Sequence, residues 1–211
     1  MIGCLSLARE TFDIQFANNK LIKTKNIIKK SYGKILFFDS LITNDKIGKD
    51  AVKYFENNNC EKFIVIQSTF TDAKFISSFV KKFKKPLLFI SLKERRTGGR
   101  LRLNSLCGVN LGLHSLIKSK YYSNFIIYSN NEKSFSKELL KFIKDVKNFP
   151  KKNYLKIISN TKKNPKTIIN FKKPNIGIVG ERPEGFDTCD FNSNELKSKF
   201  DAKITKISLS N

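Results

Sequence analysis

The chain has 211 residues, 40% of them hydrophobic and 19 of them Phe, enough for one large core, or for one domain and part of another. A mean hydropathy of -0.34 and the lack of a long uncharged apolar run exclude a membrane span. The net charge of +23 raises nucleic acid as a partner, but the lysines run along the whole chain without an RNP motif, zinc-finger spacing or Arg-rich tail. Codon bias filling solvated positions accounts for them. The reading is therefore no specific nucleic-acid binding, with weak polyanion binding at low salt as the consequence of charge. Cys4, Cys60, Cys107 and Cys189 lie far apart, with no CxxC and no signal-like start. They read as reduced thiols in a cytoplasmic protein.

In chain order, Ile2–Leu7 reads as a strand, ARETFD as a polar loop, and Ile14, Ala17, Leu21 and Ile22 as one helix face. Ile35–Phe38 is a second strand, ended by Asp39. Ile47, Ala51, Tyr54 and Phe55 share the next helix. Phe63–Ile66 is a third strand, followed by the loop QSTFTD and a helix with Phe75, Ile76, Phe79, Val80 and Phe83 inward. Leu87–Ile90 is a fourth strand. After a charged loop with Gly98-Gly99, Asn104 or Ser105 caps a helix whose face is Leu106, Val109, Leu113, Leu116 and Ile117. Phe125–Tyr128 and a helix with Phe135, Leu139, Phe142, Ile143 and Val146 complete the set. Five strand–helix units with continuous apolar strands predict a flavodoxin-like α/β fold, a parallel sheet with helices on both faces, over residues 1–148. Residues 149–173 read as a basic connection with one short strand at Tyr154–Ile158. Residues 174–211 read as the start of a second α/β domain, cut off after Ile176–Val179, Ser193–Phe200 and Ile204–Ile207.

The fourth strand, the glycine loop and the helix after it carry the most pointed signal. The chain has only six arginines, and Arg95, Arg96, Arg100 and Arg102 fall within eight residues. Arginine offers a planar fork that lysine cannot replace at a bidentate site. Strand, loop and capped helix also aim backbone N–H groups at whatever sits above the strand end. Arg95, Arg96 and Arg100 are therefore read as ligand-binding, with Arg100 expected to use its fork. Elsewhere the chemistry is sparse. His114 reads as a packed helix histidine and Cys107 as a small core residue. No P-loop, GxGxxG, GxSxG or metal-ligand spacing is present. The strand-end carboxylates Glu10, Asp13, Asp72, Glu94, Glu181, Asp187 and Asp190 read mostly as caps and ion-pair partners. Glu181, Arg182, Glu184 and Asp187 crowd a turn fixed by Pro183 and Gly185, a mix of polar groups that suits a polyhydroxylated ligand.

The strings GCLSLARETFD, QSTFTDA, PLLFIS, ERRTGGRLRLNSLCGVNLGLHSL and IVGERPEGFDTCDF resemble the amino-terminal half of the L-fucose/L-arabinose isomerase-like family. The resemblance implies a cytoplasmic ketol isomerase that interconverts a free aldose and ketose with a divalent metal, usually manganese. It implies an oligomer whose amino-terminal domain borders a neighbouring subunit's site, with Arg9 and Glu10 near substrate. The substrate-binding set is then Arg9, Glu10, Arg95, Arg96, Arg100, Glu181 and Arg182. Which sugar is taken stays open, sulfated or otherwise modified ones included. In that family the metal-binding carboxylates and histidine come from the later part of the chain, and nothing here matches them. The expectations are no metal ligands, a truncated or split isomerase, and no turnover by these 211 residues alone. A non-catalytic sugar-binding module is the alternative.

Overall fold

The computed structural model describes residues 1–95, 97–119, 125–127, 131–144 and 173–209. The chain forms two compact units, Met1–Lys151 and Lys152–Asn211. The expected strand at Tyr154–Ile158, with nearly all of the basic connection, lies outside the described residues, as do Tyr128 and Val146.

In the first unit the strands are β1 (Ile2–Leu7), β2 (Ile35–Ile42), β3 (Lys62–Gln67), β4 (Leu87–Ser91) and β5 (Phe125–Ile127). The helices are α1 (Ile14–Ser31), α2 (Asp45–Glu56), α3 (Lys74–Phe83), α4 (Ser105–Lys118) and α5 (Glu132–Lys144). The five strands pair in parallel in the order β2-β1-β3-β4-β5, the flavodoxin-like order. All residues of β1, β3 and β4 are buried, which is why their sequences run apolar without alternation. One face of the sheet packs Ile2, Cys4, Ile64, Ile66, Leu88 and Ile90 against Ala17, Leu21 and Ile28 of α1 and Leu139 and Phe142 of α5. The other face carries an aromatic cluster. Phe55 meets Phe63 edge-on at 5.3 Å, and Phe63 meets Phe79 at 4.9 Å. Gly3 makes room for it, since a Cβ there would stand 2.7 Å from the Phe63 ring. At the amino end of β3 Lys62 is buried and donates to the carbonyls of Phe142 and Ile143 at 2.8 and 3.0 Å, closing the carboxyl end of α5.

Four readings of the sequence are corrected. β2 does not stop at Asp39 but continues to Ile42. The pairing with β1 shifts register between Cys4 and Ser6, so Asp39 and Ser40 bulge outward and Leu41 returns to the sheet opposite Ser6. Ile22 is 58% exposed on α1. On α4 the inward stripe is Ser105, Gly108, Val109, Leu111, Gly112, Ser115 and Leu116, whereas Leu106 and Ile117 are exposed. Small residues bring this helix close to the sheet: a Cβ at Gly108 would stand 2.9 Å from Gln67 Nε2, and one at Gly112 3.3 Å from Phe89. That rotation also puts His114 and Cys107 on the exposed side, so neither is a core residue.

In the second unit β6 (Asn175–Val179) and β7 (Lys203–Ile207) pair in parallel around α6 (Ser193–Phe200). Asn192 caps α6 by accepting from the N–H groups of Asn194 and Glu195, and a left-handed Asp201 ends it.

Candidate functional site

In a doubly wound sheet the ligand position is the crevice at the carboxyl ends of the strands, where the chain reverses its direction of winding. Here that point lies between β1 and β3, and the loops around it are bound to one another. Ala8 N donates to Ile42 O at 3.0 Å, Ser68 N to Leu7 O at 2.8 Å, and Arg9 N to Thr69 Oγ1 at 2.7 Å. Gln67, buried at the end of β3, donates to Thr69 O and Thr71 Oγ1 and shapes the turn after it. Between these loops opens a cavity of about 200 Å³. A water occupies about 30 Å³ of liquid, so this is space for several waters or part of one small ligand. Arg9, Thr43, Asp45, Asp72 and Lys74 supply its polar lining. The start of α2 borders it, with Asn44 Oδ1 accepting from Ile47 N.

The β4–α4 loop is organised differently from the sequence-based expectation. The three backbone N–H groups that lead into α4 are already engaged. Glu94 accepts from Arg102 N, Leu103 N and Asn104 N at 2.7, 3.0 and 2.7 Å, and so holds both ends of the loop together. Asn104 occupies the N-cap position of α4 with φ of 49°, but its side chain makes no cap bond. Ser105 turns inward, accepting from Leu92 N at 2.8 Å and donating to Gln67 O. The loop is also bound to its neighbours through Phe70 N to Leu103 O and Asp13 N to Arg102 O.

The arginines divide accordingly. The fork expected at Arg100 is found at Arg102, whose Nε and Nη2 both donate to Asp13 Oδ2, at 2.9 and 2.7 Å. The same guanidinium lies over the Phe16 ring at 3.8 Å. Asp13 in turn caps α1 through Phe16 N. That backbone bond, and then the Arg102 bond, hold its carboxyl below the ordinary aspartate value. Arg100 makes one long bond, 3.4 Å to Thr11 O, and stands 5.7 Å over the Phe12 ring. Arg9 and Arg95 are exposed, and among the described residues neither guanidinium makes a hydrogen bond or ion pair. Arg96 lies outside the described residues. Glu10 is exposed and accepts from Thr43 Oγ1 at 3.0 Å. Within the first unit, then, Arg9, Glu10, Arg95 and Arg100 all follow strand ends at one edge of the sheet. Glu181 and Arg182 belong to the second unit, where they line a cavity of about 380 Å³ with Asp190, Ser193 and Lys206.

Thr43 and Lys74 escaped the sequence reading. Ending β2 at Asp39 placed Thr43 inside a connection instead of at the sheet edge. Lys74 looked like one surface lysine among 35 until the β3–α3 turn brought it to the cavity. The only carboxylates lining that cavity are Asp45 and Asp72, and they share it with Arg9 and Lys74. Hard divalent cations take several oxygen donors, carboxylates with carbonyls and waters, and adjacent cations oppose them. Among the described residues no three His, Cys, Asp or Glu side chains converge on one point. The donor set lining this cavity, two carboxylates beside two cations, does not fit a manganese site.

The family model for the fucose/sulfoquinovose isomerase N-terminal domain matches residues 3–181. The chain belongs to this family. Relatives of this fucose/sulfoquinovose isomerase domain include sulfoquinovose isomerases from Priestia aryabhattai and Priestia megaterium, each 27% identical over 203 residues. Those matches cover 96% of this chain and 41% of each relative. A third, the sulfoquinovose isomerase of Alkalicoccus urumqiensis, is 26% identical over 205 residues, 97% of this chain and 42% of the relative. The chain thus spans about two fifths of the length of the curated relatives it matches. No helix among the described residues is long and apolar enough to cross a membrane.

Proposed function

We propose that the chain is the amino-terminal part of a sugar ketol isomerase and that the cavity between β1 and β3 receives part of an acidic sugar. The observation that carries this reading is the Arg9 guanidinium at the switch-point cavity of a fucose/sulfoquinovose isomerase domain. The relatives' name points to a sugar bearing a sulfonate. Arg9 and Lys74 are cations of the kind that hold such a group, arginine by paired hydrogen bonds to two oxygens. Thr43, whose hydroxyl proton goes to Glu10, and Asp72 supply acceptors for sugar hydroxyls. Glu10, by its bond to Thr43, orients that hydroxyl.

Aldose–ketose interconversion moves hydrogen between adjacent carbons. A divalent metal, manganese by family resemblance, would polarise the carbonyl and hydroxyl oxygens in the complete enzyme. The donor set of the described residues does not suit that ion, so the role of this chain is substrate binding at one wall of the site. We propose no turnover by the 211 residues alone, and a homo-oligomer in which this domain borders a neighbouring site. The test is calorimetric titration of the purified chain with sulfoquinovose and with L-fucose, alongside an isomerase assay with manganese. Saturable binding of the sulfonated sugar that Arg9→Ala abolishes, without turnover, is the expected result. Turnover that chelator removes would refute the division of roles. Binding untouched by Arg9→Ala would refute the site.

A further inference from the structure

A second cavity opens at the same edge of the sheet, beside the end of β4 instead of β1. It measures about 260 Å³ and lies between α1 and α5, with Ile27, Ile90 and Phe135 as its apolar wall. Three ammonium groups line it, Lys20 and Lys23 from α1 and Lys93 after β4, against one carboxylate, Glu132. Lys20 is held by the Phe16 ring, its Nζ 5.3 Å from the centroid. The start of α5 adds little of its own, because Asn131 Oδ1 already accepts from Lys133 N and Ser134 N. Recognition there belongs to the lysines.

The fold also concentrates charge around this cavity. Helix α1 has five lysines and no acidic residue, and α5 has four lysines and two glutamates. The two helices are joined by Ser31 donating to Ser136 at 2.9 Å. Helix α2, on the other face of the sheet, carries three lysines and three acidic residues and is neutral. Codon usage fills surface positions everywhere. It does not leave acidic residues out of one helix of 18 residues and balance another. A concave site with apolar walls and a one-signed surround focuses potential into the cavity. Its lining is rich in donors and poor in acceptors, which disfavours a neutral sugar and suits an anion.

We propose that this cavity binds a small phosphate dianion, either inorganic phosphate or a phosphomonoester, at a site separate from the sugar cavity. The proposal is independent of the isomerase reading. The test titrates the 211-residue chain with potassium phosphate, using potassium chloride at equal ionic strength as reference, and follows heat of binding and thermal unfolding. The expected result is a saturable rise in unfolding temperature with phosphate that chloride does not reproduce. Lys20→Gln combined with Lys23→Gln weakens the affinity by about tenfold or more, two charge-assisted contacts being lost. Arg9→Ala leaves it unchanged. Tighter binding of glycerol 3-phosphate than of phosphate identifies the ester as the ligand, and equal or weaker binding identifies free phosphate. Three results would overturn the proposal. Chloride matching phosphate would leave only ionic screening. Unchanged affinity in the double lysine variant would remove the site. Loss of binding in Arg9→Ala would move the anion to the other cavity.

Discussion

Replacing Glu94 by alanine isolates what holds the arginine-rich loop in place. The wild-type carboxylate receives three consecutive backbone N–H groups across the loop, those of Arg102, Leu103 and Asn104. Hydrogen bonds to a charged acceptor contribute about 1.5–3 kcal/mol each where water is excluded, and less where water can replace them. The Arg102 N–H is exposed, and the other two are part-buried. Counting the first as replaced by water and the other two near the lower limit gives about 3 kcal/mol for Glu94→Ala. Glu94→Gln keeps one carbonyl oxygen, which can accept two of the three bonds, and should lose about half of that. Urea unfolding at neutral pH measures both. Limited proteolysis of the native protein gives a second readout, since a released loop at Gly98-Gly99 exposes new cleavage sites. A loss below about 0.5 kcal/mol in Glu94→Ala, within the range of ordinary surface changes, would refute the clamp. So would equal losses in the two variants, because the argument rests on counting acceptors.

Three further outcomes follow from the same edge of the sheet and from the core. Arg102→Lys should lower the thermal midpoint measurably, since lysine can neither place two donors on Asp13 nor stack a planar group on Phe16, while Arg100→Lys should leave it unchanged; the reverse order would contradict the geometry. Asp13 has a depressed folded-state value, so its charge stabilises the fold above its unfolded pKa, and that stabilisation disappears as pH falls through the lower folded one. The stability gap between wild type and Asp13→Asn should therefore be full at pH 7 and close below about pH 4, and a gap independent of pH would refute it. All four cysteines are free. A thiol reagent should label Cys107 and Cys189 in the native protein but reach Cys4, whose thiol burial pushes up to about 12, and Cys60 only on unfolding; native labelling of all four would refute that burial.

What the sequence made legible follows from how far each signal acts. Strands β1, β3 and β4 are buried on both faces, so each residue is constrained independently and their sequences are apolar apart from Ser6, Lys62, Gln67 and Ser91 near the strand ends. Such runs, separated by helical periods, specify a parallel sheet without any knowledge of long-range contacts. β2 is an edge strand with a bulge, where Asp39 and Ser40 can be polar because they leave the ladder. A local reading ends the strand at the first charge. That single error hid Thr43 and with it one wall of the cavity. Helix α4 misled for a related reason. Periodicity counts large apolar side chains, but this helix approaches the sheet through Gly108 and Gly112, meets α3 through Ser115, and leaves Leu106 and Ile117 outside.

The arginine cluster shows where composition stops being informative. Rarity of arginine in a lysine-rich chain correctly signals that a fork is needed somewhere in this loop. It does not say whether the fork faces a ligand or another loop. Arg102 turned out to bind Asp13 and Phe16, and Glu94 accepted from the three backbone N–H groups that lead into α4, those of Arg102, Leu103 and Asn104. The stretch with the densest functional signature is thus in large part a fastening that fixes the β4–α4 loop against α1. Its consequence for binding is indirect. With Asp13 N held by Arg102 O, the carboxyl end of the β1–α1 loop is anchored, and at the other end of that loop Arg9 N is fixed by Thr69 Oγ1. Arg9 therefore projects from a backbone pinned at both ends with its guanidinium uncommitted among the described residues, which is the arrangement a binding arginine needs: the ordering of its loop is completed in folding, not at the moment of binding.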